Sequence, residues 1–209
     1  MTKKHDIIWL ESVDSTNNEA SRMISNLDNL SVLSALSQTS GRGQRGNIWV
    51  SERGKNLTFS VILKFSNDES SKSNLLSKLY AKDQIVISNL TAISIIELLQ
   101  KFGIDAKVKL PNDIYVAHKK ICGILIEHAV KGEFISHSIV GIGLNVNQRD
   151  FDESLPNPTS INLCLNASKP IDTNECLELF LDIYKKNLRL LNEDRDLSVY
   201  YEINRALLL

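Results

Sequence analysis

The chain has 209 residues, of which 43% are hydrophobic and 23% charged, and its formal net charge at pH 7 is −1. This length predicts one globular domain with room for a small appendage. The near-zero charge argues against a general nucleic-acid or membrane-surface binder. The N-terminus lacks the apolar segment of a signal peptide, and no stretch reaches the roughly 18 apolar residues of a membrane span. We therefore expect a cytoplasmic protein with no membrane partner.

The first half of the chain is predicted to hold strands and helices on either side of a glycine-rich loop. Asp14–Asn18 supplies capping residues, and Thr16 and Glu19 have capping-box spacing, so a helix is predicted from about residue 17 to 24. Apolar residues at helical spacing between 75 and 101 predict one long helix or two. The predicted strands of this half are 5–13, 31–38 and 56–65.

The second half begins with short extended segments. Close spacing of the predicted strands indicates an antiparallel or mixed meander, with the polar residues 118–120 as a connection. Residues 149–169 are predicted as a loop, and Asn174–Asn192 as an amphipathic helix. A meander with helices before and after it favours an α+β fold, a mixed and largely antiparallel sheet flanked by helices. The predicted strands here are 106–110, 114–117, 121–130 and 134–146.

The glycine-rich loop Ser40–Trp49 reads SGRGQRGNIW and contains the spacing G-x-G-x-x-G. A dinucleotide-binding loop opens directly into a helix, whereas here Gly54 and a β-rich segment follow, so we reject that interpretation. Arg42 and Arg45 among glycines instead predict a loop that is mobile without ligand and folds over a bound phosphate. A flexible, solvated basic loop is the alternative.

A second motif, Lys109–Gly123, reads KLPNDIYVAHKKICG. A two-stranded hairpin would bring Asp113 close to a lysine. A carboxylate is a hard-oxygen ligand for Mg²⁺, and a lysine neutralises phosphoryl charge, so the pair suits a metal–phosphate site. A proline turn with a solvated hairpin tip is the alternative.

The third motif, Val140–Asn147, reads VGIGLNVN. Glycine inside a strand indicates that another group packs tightly on the backbone. Asn145 carries both a donor and an acceptor, which could recognise the edge of a heterocycle. Tight packing between strands explains the same pattern.

Taken in order, these motifs resemble those of the biotin–protein ligases over about residues 7–147. The resemblance implies the catalytic domain of class II aminoacyl-tRNA-synthetase-like biotin/lipoate ligases in residues 1–195, with 196–209 as the start or remnant of a small SH3-like barrel. The matching residues are Ser15-Thr16-Asn17, Gly41 to Gly46 with Trp49, Lys109-x-Pro111-Asn112-Asp113, Lys120-x-x-Gly123-Ile124-Leu125 with Glu127, and Gly141-x-Gly143-x-Asn145.

The resemblance implies an ATP-dependent ligase that activates biotin as biotinyl-5′-AMP and transfers it to a lysine of a biotin carboxyl carrier protein. ATP and Mg²⁺ would be co-substrate and metal, biotin the substrate, with no prosthetic group. A monomer or a homodimer is compatible with the family. Because the first predicted strand begins within ten residues, we expect no DNA-binding domain. A lipoate–protein ligase and a non-catalytic biotin- or carrier-binding remnant remain open.

The same resemblance implies roles for individual residues. Lys120 would bridge the biotin carboxylate and the α-phosphate, Arg42 and Arg45 would close with the loop, and Asp113 would orient the metal–phosphate region as a Mg²⁺ ligand. The implied biotin-binding residues are Ser15, Thr16, Asn17, Gln38, Gly41, Arg42, Arg45, Lys120, Gly123, Ile124 and Leu125. The implied ATP-binding residues are Arg42, Gly43, Arg45, Trp49, Asn112, Lys120 and Asn145.

Three departures from the family pattern modify these expectations. Gln44 stands where arginine is frequent, so we expect weaker retention of the adenylate. Leu110 stands where tryptophan is common, so local packing should differ. The chain ends at Leu209, before a complete barrel, so the contribution of that barrel to activity is expected to be missing.

Overall fold

The structure, a computed structural model, describes residues 5–66 and 76–194. The expected barrel segment 196–209 and the first residue of the predicted 75–101 helix lie outside the described residues. Within them, one seven-stranded sheet has helices on both faces. The strands are β1 (Ile7–Leu10), β2 (Val32–Ala35), β3 (Leu57–Lys64), β4 (Lys107–Lys109), β5 (Asp113–Val116), β6 (Lys119–Lys131) and β7 (Phe134–Leu144).

The strand order in the sheet is β1-β2-β3-β7-β6-β5-β4. Strands β1 and β2 are parallel, and the other neighbouring pairs are antiparallel. The predicted mixed, largely antiparallel sheet is therefore confirmed. The helices are α1 (Thr16–Met23), α2 (Ile85–Lys101), α3 (Ile161–Leu165) and α4 (Thr173–Asp194), with single 3₁₀ turns at Gln44–Gly46 and Ala81–Asp83.

Three predicted element boundaries are wrong. Helix α2 begins at Ile85, because Leu76 forms a bridge with Phe65 and a 3₁₀ turn follows it. Helix α3 lies inside the segment predicted as a loop. The connection predicted at 118–120 is shorter, because Ala117 adopts a positive φ of 51° and lets β6 begin at Lys119.

The two faces of the sheet are covered differently. One face packs against α2 and α4 in the main apolar core, where the rings of Phe59 and Phe180 lie 5.3 Å apart. The other face packs against α1 in a smaller cluster that includes Ala20, Leu33 and Ile139. We call the face that packs against α2 and α4 the core face, and the face that packs against α1 the site face. No helix in the described ranges combines the length and apolar character needed to cross a membrane.

Candidate active site

Small residues occupy two neighbouring rows on the site face, and three of them, Gly123, Gly141 and Gly143, form the floor of a cavity. Thr58 pairs with Gly143, which in turn pairs with Gly123 on the next strand. One pleat further along, Ser60 pairs with Gly141. Because side chains alternate between the faces of a strand, these residues all lie on the face that carries α1. Two neighbouring rows of the sheet are thus almost free of bulky side chains.

The glycines are needed because other groups lie directly on their backbone. A Cβ at Gly143 would lie 2.3 Å from Cε2 of Trp49, and one at Gly123 would lie 3.0 Å from Cζ3 of the same ring. A Cβ at Gly141 would lie 2.2 Å from Oδ1 of Asn17. The expectation that another group packs on the backbone of the third motif is confirmed.

The start of α1 is fixed to this floor by buried hydrogen bonds. Oγ of Ser60 lies 2.7 Å from Oδ1 of Asn17 and 2.8 Å from Oγ1 of Thr16. Since an amide oxygen can only accept, Ser60 donates to Asn17 and accepts from Thr16. The backbone N–H of Thr16 donates to Oε1 of Gln38 at 2.8 Å. The polar wall at this end of the cavity is therefore rigid.

This first cavity has a volume of about 100 Å³ and brings together most of the predicted site residues. It is bounded by the start of α1, the glycine-rich loop, and strands β5, β6 and β7. The predicted residues that line it are Ser15, Thr16, Asn17, Gln38, Arg42, Gly43, Trp49, Asn112, Asp113, Lys120, Gly123, Ile124 and Leu125.

A β-bulge turns Lys120 towards the cavity. Ile114 pairs with Cys122, but Tyr115 pairs with Lys120, so Ile121 is an extra residue on β6. Ile121 and Cys122 consequently both lie in the core, and Lys120 returns to the site face. Bulges next to active sites commonly redirect a side chain in this way. Without the extra residue, regular alternation would point Lys120 into the apolar core.

The Lys120 side chain is held between a carboxylate and an indole. Its Nζ lies 2.7 Å from Oδ1 of Asp113 and 5.7 Å from the centroid of the Trp49 ring. The backbone N–H of Lys120 donates to the carbonyl of Asn157 at 2.7 Å, which ties β6 to the loop after β7. Lys119, the neighbouring lysine, is exposed and lies outside the cavity lining.

A second cavity of about 270 Å³ adjoins the first, and Trp49 and Lys120 line both. Asn145 lines only the second one, where its Nδ2 donates to the carbonyl of Thr159. Nε1 of Trp49 and Oδ1 of Asn145 are buried and lack a hydrogen-bond partner within residues 5–66 and 76–194. An orphaned donor and an orphaned acceptor thus occur among the residues of one cavity.

The sequence did not predict the apolar residues that line the second cavity. They lie in the segment predicted only as a loop, and the tie to Lys120 places that segment over the site. Their apolar character within a polar segment was the available indication. These residues are Phe151, Leu155, Pro156 and Pro158.

Two predicted residues are not brought into either cavity lining. Arg45 is exposed, has a φ of 56°, and lies outside both cavities. Gly41 is also outside, because it supports the loop instead: a Cβ there would lie 2.3 Å from the carbonyl oxygen of Trp49. Gln44 does line the first cavity, so a neutral side chain stands beside Arg42.

The site offers little to bind a metal on its own. Among the described residues, Asp113 is the one carboxylate that lines either cavity. The described part of the chain holds no cluster of three His, Cys, Asp or Glu side chains placed to bind an ion. A single carboxylate is compatible with Mg²⁺ that arrives on a triphosphate, because Mg²⁺ commonly combines one or two carboxylates with phosphate oxygens.

The thiol of Cys122 is unsuited to nucleophilic catalysis despite its place in the second motif. It is fully buried on the core face, and this burial raises the pKa of the thiol far above its ordinary value. A thiol in apolar surroundings stays protonated and unreactive.

Comparison with known proteins agrees with this geometry. A sequence model described as the Biotin/lipoate A/B protein ligase family matches residues 9–145. The chain is 31% identical over 197 residues to the bifunctional ligase/repressor BirA of Salmonella typhimurium, covering 93% of this chain and 57% of that protein. For the protein of the same name from Escherichia coli, the identity is 29% over 186 residues, covering 88% and 54%. The chain thus spans little more than half the length of these relatives.

Among solved structures, the chain is similar to a biotin protein ligase from Aquifex aeolicus in complex with biotin and ATP. The TM-score is 0.77 and the identity 27%, with 99% of this chain and 79% of that chain covered. The likeness therefore extends over the whole sheet and its helices.

Proposed function

Because the chain belongs to the Biotin/lipoate A/B protein ligase family, we propose that it is an ATP-dependent biotin–protein ligase. It would form biotinyl-5′-AMP and pyrophosphate, and then transfer the biotinyl group to a lysine of a biotin carboxyl carrier protein. The observation that carries this proposal is the pair of adjoining cavities that share Lys120 and Trp49. Two substrates bound there would meet beside one ammonium group.

The first cavity suits a small acid with a polar head. Thr16 and Gln38, with Ser15, line one end and offer both donors and acceptors. A ureido ring has one carbonyl and two N–H groups to match them. A dithiolane ring has neither, so it would leave unpaired those donors and acceptors of the wall that the protein itself does not pair, at a free-energy cost. The polar wall therefore favours biotin over lipoate.

The second cavity suits the nucleoside. Its apolar loop residues would cover a flat ring, and the orphaned acceptor on Asn145 and donor on Trp49 would pair with a base that carries both kinds of group. Adenine has an amino donor next to a ring-nitrogen acceptor. The Aquifex aeolicus protein, solved with biotin and ATP, supports the same pairing of ligands.

The chemistry requires two anions to approach each other. A carboxylate oxygen would attack the α-phosphate, a bond to the pyrophosphate leaving group would break, and no covalent bond to the protein would form. Lys120 and Arg42 would lower the repulsion between the anions and stabilise charge that grows at the α-phosphate. Mg²⁺ bound to the triphosphate would neutralise the leaving group, with Asp113 as its one protein carboxylate.

Biotin-dependent exchange of labelled pyrophosphate into ATP tests this proposal. We expect exchange with biotin, none without it, and none above background with lipoate. Exchange that occurs with lipoate and not with biotin would identify the protein as a lipoate ligase. Tight binding of biotin in calorimetry with no exchange would identify a non-catalytic binding protein. Transfer of label to a biotin carboxyl carrier domain then tests the second step.

A further inference from the structure

Glu127 lies where the glycine-rich loop, helix α1 and the sheet meet. Its two carboxylate oxygens accept from Arg42, with Nη2 at 2.9 Å from Oε1 and Nη1 at 3.2 Å from Oε2. Oε2 also accepts from Nδ2 of Asn17 at 2.8 Å. Glu127 itself does not line either cavity, whereas Arg42 and Asn17 both line the first. One carboxylate outside the cavity therefore contacts two groups that face into it.

The contacts of Arg42 use one edge of its guanidinium and leave another edge free. Glu127 occupies the fork formed by Nη1 and Nη2, and the remaining Nη1–H donates to Oδ1 of Asn18 at 2.7 Å. A guanidinium has five N–H groups, so Nε–H and one Nη2–H remain. In the described ranges these two have no hydrogen-bond partner. They form the second fork of the group, whose geometry fits a carboxylate or phosphoryl anion.

We propose that Glu127 is a positioning residue that fixes the plane of the Arg42 guanidinium, so that its free fork faces an anionic ligand in the first cavity. The inference rests on the proposed function, since it names the biotin carboxylate or the phosphoryl group derived from it as that anion. Glu127 acts through Arg42 and does not contact the ligand. A permanently charged side chain on a glycine-rich loop would otherwise sample many rotamers and lose entropy on binding.

Substitution of Glu127 should leave the fold intact. The side chains of Glu127 and Arg42 are 38% and 43% exposed, and ion pairs this accessible contribute little to stability. Asn17 also keeps its second acceptor, the carbonyl of Leu125 at 3.2 Å. Glu127→Gln preserves the side-chain volume but leaves one neutral oxygen where two charged ones held the guanidinium.

The test compares biotin with biotinol, an analogue that has an alcohol in place of the carboxylate, by calorimetry. We expect Glu127→Gln to weaken biotin binding by at least about tenfold, the lower end of the effect of a hydrogen bond to a charged group. Biotinol binding should change by less than about twofold, because no ligand anion meets Arg42. In the double variant with Arg42→Gln, biotin should bind no more weakly than to Arg42→Gln alone.

A matched control is available at Glu11, whose carboxylate pairs with Arg53 just beyond the loop. Neither of these residues lines the two cavities, so Glu11→Gln should leave both affinities unchanged. If Glu127→Gln weakened the binding of biotin and of biotinol equally, Glu127 would act on the shape of the cavity floor and not on the orientation of Arg42. That result would overturn the proposal. So would unchanged biotin binding, or additive effects in the double variant.

Limited proteolysis provides a readout that does not depend on biotin. Trypsin must bind the Arg42 side chain in its own specificity pocket to cleave after it, so release of Arg42 from Glu127 should speed cleavage. We expect at least about threefold faster cleavage after Arg42 in ligand-free Glu127→Gln, and no change in Glu11→Gln. If the wild type binds no biotin, the proposed function fails, and an unchanged cleavage rate would separately refute the positioning role.

Discussion

The strands of the sheet carry large apolar side chains on one face and small or polar residues on the other. On the core face, Phe59 and Leu144 are almost completely buried against α2 and α4. Their sequence neighbours on the site face are the smaller residues Thr58 and Gly143, and Gly143 lines the first cavity. A shift of one residue along a strand therefore separates an apolar core from a polar binding floor.

The two faces contribute differently to stability and to function. The core face gains free energy from buried apolar surface, which is roughly proportional to the area removed from water. The site face forgoes much of that gain, because glycine buries no side chain. The glycines at 123 and 143 are covered by Trp49, which comes from a loop. Substitutions on the two faces should accordingly have separable effects on unfolding and on ligand binding.

The largest effect is expected for Lys120→Ala, which removes the ammonium that the bulge turns to the site face. Biotin-dependent pyrophosphate exchange should fall by about 10²- to 10³-fold, as for the loss of one preorganised group that stabilises transition-state charge. Lys119→Ala is the control, because that side chain is exposed. Rates for the two variants that differ by less than tenfold would refute the role of Lys120.

A pair of adjacent substitutions tests the two faces directly. Leu144→Ala should reduce the free energy of unfolding by about 2–5 kcal/mol, the usual range for a buried leucine, while biotin binding by the folded protein persists. Gly143→Ala should displace the Trp49 ring, because its Cβ would lie 2.3 Å from Cε2. We expect at least about tenfold slower exchange with a small change in unfolding, since a misplacement of about 1 Å can cost about a hundredfold in rate.

Urea titration and the exchange assay on both variants give the comparison. Loss of exchange in Leu144→Ala under conditions where it is fully folded would mean that the core face also shapes the site. Normal exchange in Gly143→Ala would mean that Trp49 can leave its place on the floor without consequence.

Much of the sheet could be predicted because its pattern is local. Alternating apolar residues and turn residues mark the strands, and the glycines at 141 and 143 mark close backbone contacts. The residues of the first cavity were also predicted, but mainly from the resemblance of ordered motifs. Spacing along the chain alone would not have joined Thr16, Arg42 and Lys120, which come from a helix, a loop and a distant strand.

What could not be predicted depends on tertiary contacts. The bulge at Ile121 is invisible in sequence, because regular alternation would direct Lys120 into the core. Helix α3 is only five residues long and sits in a polar segment. Ser160 caps it by accepting from the N–H of Leu163 at 3.2 Å. A cap of this kind favours a helix, but packing decides whether such a short one forms.

A smaller effect is expected on the loop that covers the site face. Gln44 lines the first cavity without charge, so Gln44→Arg would add a second cation beside Arg42. Release of biotinyl-5′-AMP should slow by about two- to fivefold, the scale of a partly exposed ion pair. The adenylate can be formed with labelled ATP and its release followed by rapid filtration. A variant that loses the adenylate as fast as the wild type would contradict the expectation.

The smallest effect concerns two histidines on opposite faces of the β6–β7 hairpin. His128 lies on the core face, with Nδ1 2.8 Å from Oγ of Ser138, and His137 lies on the site face opposite Lys64. Burial lowers the pKa of both side chains, and Lys64 lowers that of His137 further. Their folded-state pKa values lie below the ordinary value of about 6.5. The unfolded chain therefore binds protons first as the pH falls, and stability that is complete above about pH 6.5 is lost below it.

Urea titrations at pH 7.5 and pH 5.5 measure that loss, with His128→Gln and His137→Gln as the matched pair. His128 is the more deeply buried of the two, so its replacement should remove the larger share of the acid sensitivity. His5, whose pKa is also lowered by burial, contributes the same background to both variants. If His137→Gln removed more of the acid sensitivity than His128→Gln, the charge of Lys64 would outweigh burial as the cause of the lowered pKa. The two faces of the sheet would then differ little in how strongly they desolvate a histidine.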